Sequence, residues 1–126
     1  MNSVGKFPKC VMRKASLKDQ TVLLRADYNV PLKDGKVDDD FRIRSSVPTI
    51  EKLLSRGCKV VIISHLGRPD GQVNPKYSLE PVAKRLSELL DRKVTFIDDC
   101  IGPKVRTGVK HASKGSVVLL ENLRFY

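Results

Sequence analysis

Apolar positions follow two alternating rhythms. Residues 21–25 (TVLLR) are a short β-branched and apolar run, which predicts a strand. The turn signal Asp34–Gly35 follows, then three carboxylates, Asp38, Asp39 and Asp40, and then Ile43, Val47, Ile50, Leu53 and Leu54 on one helical face. An Asp at the start caps free amide groups and suits the helix dipole, and Gly57 closes the helix just past its C-cap. Residues 59–64 (KVVIIS) form a continuous apolar run, as in a strand buried on both faces. A loop over 65–77 carries Gly67, Pro69, Gly71 and Pro75. Ser78 is placed to cap a second helix, with Pro81 tolerated in its first turn and Val82, Ala83, Leu86, Leu89 and Leu90 as the buried stripe. A third strand at 94–97, a weaker helix over 102–112 with Val105 and Val109 inward, and a fourth strand at 116–120 (SVVLL) complete the series. Residues 1–18 show no period and read as a lead-in.

Strand and helix alternate throughout, which predicts an α/β fold: parallel strands joined by right-handed crossovers, with helices on both sheet faces in three αβα layers. In such sheets ligands bind beyond the carboxyl ends of the strands. The polar residues that follow each strand are therefore expected to converge on one rim. They are Asp27 and Asn29, then His65 and Arg68, then Asp98 and Asp99, then Glu121, Asn122 and Arg124.

The totals narrow the classes. A chain of 126 residues, 40% hydrophobic and 30% charged, reads as one globular domain or part of one. No apolar run approaches a membrane span, and Met1 to Arg13 lacks the apolar core of a secretory signal. The formal charge of +10 attracts anions, whether nucleic acid, acidic lipid or phosphorylated metabolite, but the basic residues are spread along the chain. Three widely spaced cysteines, Cys10, Cys58 and Cys100, fit neither a disulfide framework nor a zinc site, and Cys58 and Cys100 flank apolar segments as small buried hydrophobes. This usage fits the cytoplasm.

Each rim segment has a structural and a functional reading. Asp27 and Asn29 either satisfy turn backbone ahead of Pro31 or hold a hydroxyl or carboxylate of a small ligand. Arg42 and Arg44 open the first helix, where an arginine opposes the dipole unless an anion lies nearby; Arg44 is read as surface. In His65–Leu66–Gly67–Arg68, a histidine at a strand end and an arginine three residues on can share a phosphate, and Gly67 lets the backbone approach. Glu121 and Asn122 read as strand-end caps, with Arg124 reaching the rim of His65 and Arg68. No GxxxxGK[ST] or GxGxxG motif, metal-spaced ligand cluster, or nucleophile with a matched base is present. Aromatic residues are scattered, without a stacking platform or recognition helix for nucleic acid. The pattern is a clamp for a phosphorylated anion.

These residues carry a resemblance. RADYNVPL (25–32), FRIRSSVPTI (41–50), SHLGRPDG (64–71) and LLENLRF (119–125), with KYSLEPVA (76–83) and DDCIGP (98–103) in order, resemble the phosphoglycerate kinase family. That family has two Rossmann-like domains around a cleft. The resemblance implies that residues 1–126 are part of the N-terminal, 3-phosphoglycerate-binding domain, without the C-terminal domain that binds magnesium ADP or ATP. It implies reversible phosphoryl transfer from 1,3-bisphosphoglycerate to ADP in glycolysis, with this chain inactive alone. The alternative is a non-catalytic remnant that keeps only the phosphate-metabolite site.

By the same resemblance Asp27 and Asn29 hold the glycerate end. Arg42 contacts the carboxyl end and stabilises the moving phosphoryl group, as the catalytic residue. His65, Arg68 and Arg124 form the basic patch around the 3-phosphate, with Leu66 and Gly67 lining the same substrate site. No nucleotide cofactor or metal is expected on this segment, no nucleic acid or membrane partner is implied, and the full-length protein is expected to be a cytoplasmic monomer. Tyr28 stands where the family usually has phenylalanine. Four strands without the rest of the sheet leave an edge and a helix-docking face uncovered.

Overall fold

The computed structural model describes residues 20–125. The lead-in over 1–18, including Cys10, lies outside them. The elements are β1 (Thr21–Arg25), β2 (Leu32–Lys33), β3 (Lys36–Val37), α1 (Phe41–Ser55), β4 (Lys59–Ile63), α2 (Glu80–Leu90), β5 (Val94–Ile97), α3 (Pro103–His111) and β6 (Val117–Leu120). Short 3-10 turns occupy Pro75–Tyr77 and Leu123–Phe125.

Four of the strands form one parallel sheet in the order β1-β4-β6-β5, with Thr21 opposite Lys59, Val60 opposite Val117 and Val94 opposite Val117. The chain steps from β1 to β4, skips a place to β5, and turns back to insert β6 between them. Right-handed crossovers put helices of opposite step direction on opposite faces. Packing agrees: Ile43, Ile50 and Leu53 of α1 join Val82, Leu86 and Leu90 of α2 over Val22, Val60, Ile62, Val117 and Leu119. Val105 and Val109 of α3 pack on the other face, against Val61, Ile97, Val118 and Leu120. The central β6 is buried at all four positions and β4 through Val60, Val61 and Ile62, as the continuous apolar runs predict. Cys58 and Cys100 are buried and form no disulfide among the described residues.

Local chemistry explains most boundaries. Asp34 and Gly35 take φ of 53° and 74°, the left-handed pair of a two-residue hairpin turn, and join β2 to β3 as a small antiparallel ribbon that the Asp-Gly signal alone left as a turn. Gly57, at φ 75°, ends α1 as expected, with Cys58 N–H donating to Leu53 O at 3.2 Å. Pro48 lies inside α1 at an exposed position, where it withholds the N–H that Arg44 O would otherwise accept.

Two expected caps differ. Asp40 holds the N-cap position of α1, yet its side chain caps nothing. It pairs instead with Arg44 (2.7 Å) and Arg85 (2.9 Å), whose hydrogen bonds hold its carboxyl below the usual range. Charge-assisted bonds to two guanidinium groups outcompete one amide; Asp39 takes the Phe41 N–H instead, at 2.9 Å. Ser78 accepts from Glu80 N–H at 3.2 Å, but Leu79 is the N-cap residue of α2, and the Ser78 hydroxyl donates to Glu121 at 2.7 Å.

Tyr28 ties the first turn to the core. Its ring is wholly buried, its N–H donates to Ser64 Oγ at 3.0 Å, and its hydroxyl meets Ser46 Oγ at 2.7 Å. Ser46 already donates to Ile43 O, so the phenol is the donor of that pair. Burial pushes the phenol from 10.0 up to about 12. Folding therefore favours the protonated phenol, and its contribution is complete below the unfolded value of 10.0 and lost as pH rises through about 12. Tyr28→Phe is expected to cost about 1 kcal/mol at neutral pH and to abolish an alkaline loss on the order of 2–3 kcal/mol. Urea denaturation of both proteins from neutral to alkaline pH checks this.

Candidate functional site

The carboxyl ends of β1, β4 and β6 lie side by side, so the segments leaving them meet. From β1 the chain turns through Asp27, whose Oδ1 accepts the Asn29 N–H at 3.2 Å. That is the turn-satisfying role weighed for this carboxylate, but the same Oδ1 also accepts from Arg42 at 3.2 Å. Arg42 donates as well to Asn29 O at 2.9 Å. The first-turn arginine is thus drawn off the helix axis toward a carboxylate and a carbonyl, which removes the dipole objection. Both partners of the ion pair are more than half exposed, at 52% and 64%, so the pair contributes roughly 0–1 kcal/mol and serves orientation more than stability.

Asn29 reaches across to the loop after β4, where its Oδ1 accepts the Gly67 N–H at 3.0 Å. Arg124, in the turn after β6, donates to Gly67 O at 3.3 Å, and its own carbonyl accepts Gly71 N–H at 3.2 Å. Asp27, Arg42, Asn29, Gly67 and Arg124 therefore form one connected chain of contacts. Arg68 is exposed and has no hydrogen-bond or ion-pair partner among the described residues. Leu66 is buried beneath them. His65 stands half-buried beside these cations, and its pKa is lowered first by desolvation and then by Arg124, with Arg25 adding to the effect and Asp27 opposing it. The imidazole is therefore neutral at pH 7, and the positive charge of the rim belongs to the arginines.

An exposed arginine beside a half-spent one, with backbone N–H groups and an imidazole on the neighbouring turns, is suited to an oxyanion. The family model for phosphoglycerate kinase matches residues 12–126. The chain belongs to the phosphoglycerate kinase family. It is 53% identical over 118 residues to the phosphoglycerate kinase of Borreliella burgdorferi strain B31, covering 94% of this chain and 30% of that protein. Identity to the Thermosipho africanus phosphoglycerate kinase is 50% over 117 residues, covering 93% and 29%. Among solved structures, the phosphoglycerate kinase of Pyrococcus horikoshii OT3 superimposes with a TM-score of 0.80 at 39% identity, over 100% of this chain and 29% of that one. The Coxiella burnetii phosphoglycerate kinase gives 0.77 at 38% identity, over 90% and 28%. The chain thus spans about 30% of the length of the curated relatives it matches.

The expected single rim is corrected at β5. Asp98 pairs with Lys104 at 2.8 Å, and Asp99 accepts the Cys100 N–H at 2.8 Å. With Val73, Ser78, Glu80, Glu121 and Phe125 they line a separate cleft of about 320 Å³. The physical reason is the strand order, because β6 stands between β5 and the rest of the rim. Two groups that build the rim were not singled out from sequence: Ser64 is buried and holds Tyr28 N–H, and Arg25 adds charge next to His65. Asn122, read from sequence as a strand-end cap on the rim, binds backbone on three segments. The signal was available for Ser64, a polar residue directly beyond the apolar run of β4.

Gly67 has two reasons to be glycine. Its φ is +62°, and a Cβ built on it would come within 3.0 Å of the Tyr77 ring. Gly67→Ala is expected to destabilise the chain by about 1–3 kcal/mol. Tyr77→Ala in the same chain should recover the steric part and leave the backbone part, which thermal denaturation of both variants measures.

Proposed function

We propose that this chain supplies the 3-phosphoglycerate site of a phosphoglycerate kinase, which moves a phosphoryl group reversibly between 1,3-bisphosphoglycerate and ADP. The observation that carries the reading is the connected rim of Asp27, Asn29, Arg42, Gly67 and Arg124, with Arg68 exposed beside it. Arg68, Arg124 and His65 surround the 3-phosphate, with Leu66 and Gly67 beneath it. Asp27 and Asn29 hold the glycerate hydroxyl and carboxyl end.

Arg42 is the catalytic residue on this reading. In-line phosphoryl transfer asks the protein for positioning and positive charge more than for an acid or base. Arg42 sits at the start of α1 with one guanidinium nitrogen already directed by Asp27 and Asn29 O, so it is preset rather than recruited. Magnesium ADP, the acceptor, would be held by a nucleotide domain outside these residues and brought to the rim by closure that excludes water. The chain alone binds substrate and does not transfer phosphate. The reading places it in the cytoplasm as part of a monomeric glycolytic enzyme.

Calorimetric titration of 3-phosphoglycerate into the chain tests the reading. Binding is expected, and Arg68→Ala with Arg124→Ala should weaken it by about 100-fold or more, since charge-assisted bonds contribute about 1.5–3 kcal/mol each. No binding to a folded chain, or a response to magnesium ADP instead, would overturn it. A bound phosphate also favours protonated His65 and so opposes the lowering of its pKa by desolvation and Arg124. Binding should then take up protons below neutrality and weaken as pH rises through that range. His65→Gln should remove that share of the profile.

A further inference from the structure

Directly beyond β6 the chain buries two polar side chains, Glu121 and Asn122, exposed by 7% and 0%. Such a pair is costly unless its atoms are satisfied. Glu121 spends its carboxylate on Leu79 N–H (2.8 Å), the Ser78 hydroxyl (2.7 Å) and Asn122 N–H (2.9 Å), and so holds the start of α2. Asn122 has a different set. Its Nδ2 donates to Leu66 O at 2.7 Å and to Tyr77 O at 2.9 Å, and its Oδ1 accepts Arg124 N–H at 3.0 Å. The amide has only one workable orientation, because a flip would set Oδ1 against two carbonyl oxygens.

The three partners are not scattered. Leu66 and Tyr77 bracket the loop that carries Gly67 and Arg68, and Arg124 is the cation on the neighbouring turn. Of the other ties between the loop and the rim, Asn29 to Gly67 and Arg124 to Gly67 are exposed and compete with water, and a backbone bond joins Gly71 N–H to Arg124 O at 3.2 Å. The Asn122 bond to Leu66 is buried and its bonds to Tyr77 and Arg124 are partly so, and an unpaired side chain at this fully buried position is costly. We infer that Asn122 is the positioning residue of this rim: one buried amide fixes the loop bearing Arg68 against the turn bearing Arg124, without touching the ligand itself. The identity of the ligand rests on the function proposed above; the fixing of loop against turn does not.

Amide hydrogen exchange by NMR on the 126-residue chain separates the two. In the wild-type chain the Asn122 Nδ2 protons are expected to exchange far more slowly than those of exposed Asn29 and Asn74. Equal rates would overturn the inference without any variant. Asn122→Asp keeps the shape and the acceptor but removes both donors. It is expected to raise exchange at Gly67, Gly71 and Arg124 while amides of β4 and β6 keep their protection, and to weaken 3-phosphoglycerate by about tenfold or more. Unchanged loop exchange, or loss of protection throughout the sheet, would overturn the positioning role. A wild-type chain that ignores 3-phosphoglycerate would sink the proposed function, while the exchange pattern would still decide the role of Asn122.

Discussion

The parallel ladder between β4 and β6 is the constraint on which the rest stands. Both strands are buried on both faces, so their backbone groups have only each other and β1 and β5 as partners. Parallel pairing forces every connection to cross from one end of the sheet to the other. It also brings every strand's carboxyl end to the same side. The residues that follow β1, β4 and β6 therefore meet whatever their own preferences, and the meeting place is where chemistry can be assembled from distant positions.

Energetically the molecule divides into a frame and a working surface. The frame is aliphatic: each fully buried Val, Leu or Ile contributes about 1.5–3 kcal/mol. The surface groups at the rim contribute little to folding. The Arg42–Asp27 pair is exposed on both sides, and Arg68 has no protein partner among the described residues. Their guanidinium groups remain available because burial has already been supplied elsewhere. Between these layers lies a thin polar one, Ser64, Glu121 and Asn122, buried and hydrogen-bonded. Its hydrogen bonds tie the loops and the start of α2 to the ends of the sheet.

The reversal of strand order shapes what this surface can do. Inserting β6 between β4 and β5 sends α3 to the opposite face and isolates the acidic end of β5. Asp98 pairs there with Lys104, and Asp99 accepts the Cys100 N–H. A basic rim and an acidic cleft coexist at one end of the sheet because one strand separates them.

Apolar periodicity and the HLGRP and ENLRF blocks are local and survive in one dimension, so the strands of the main sheet, the three long helices, their alternation and the family were legible in the sequence, while the small β2–β3 ribbon was not. Strand boundaries were legible to within a residue, as at β4 and β6, and Gly57 named its own helix end. Long-range partners were settled by the fold. Nothing local says that Asp40, already paired with Arg44 of its own helix, also binds Arg85, which lies 45 residues away. Nothing local says that Asn122 grips Leu66 and Tyr77 or that Asp98 and Asp99 stand apart. Those outcomes depend on strand order and on which long-range partner is closest, and side-chain hydrogen bonds fall off within one atomic contact, so only the folded arrangement selects among them.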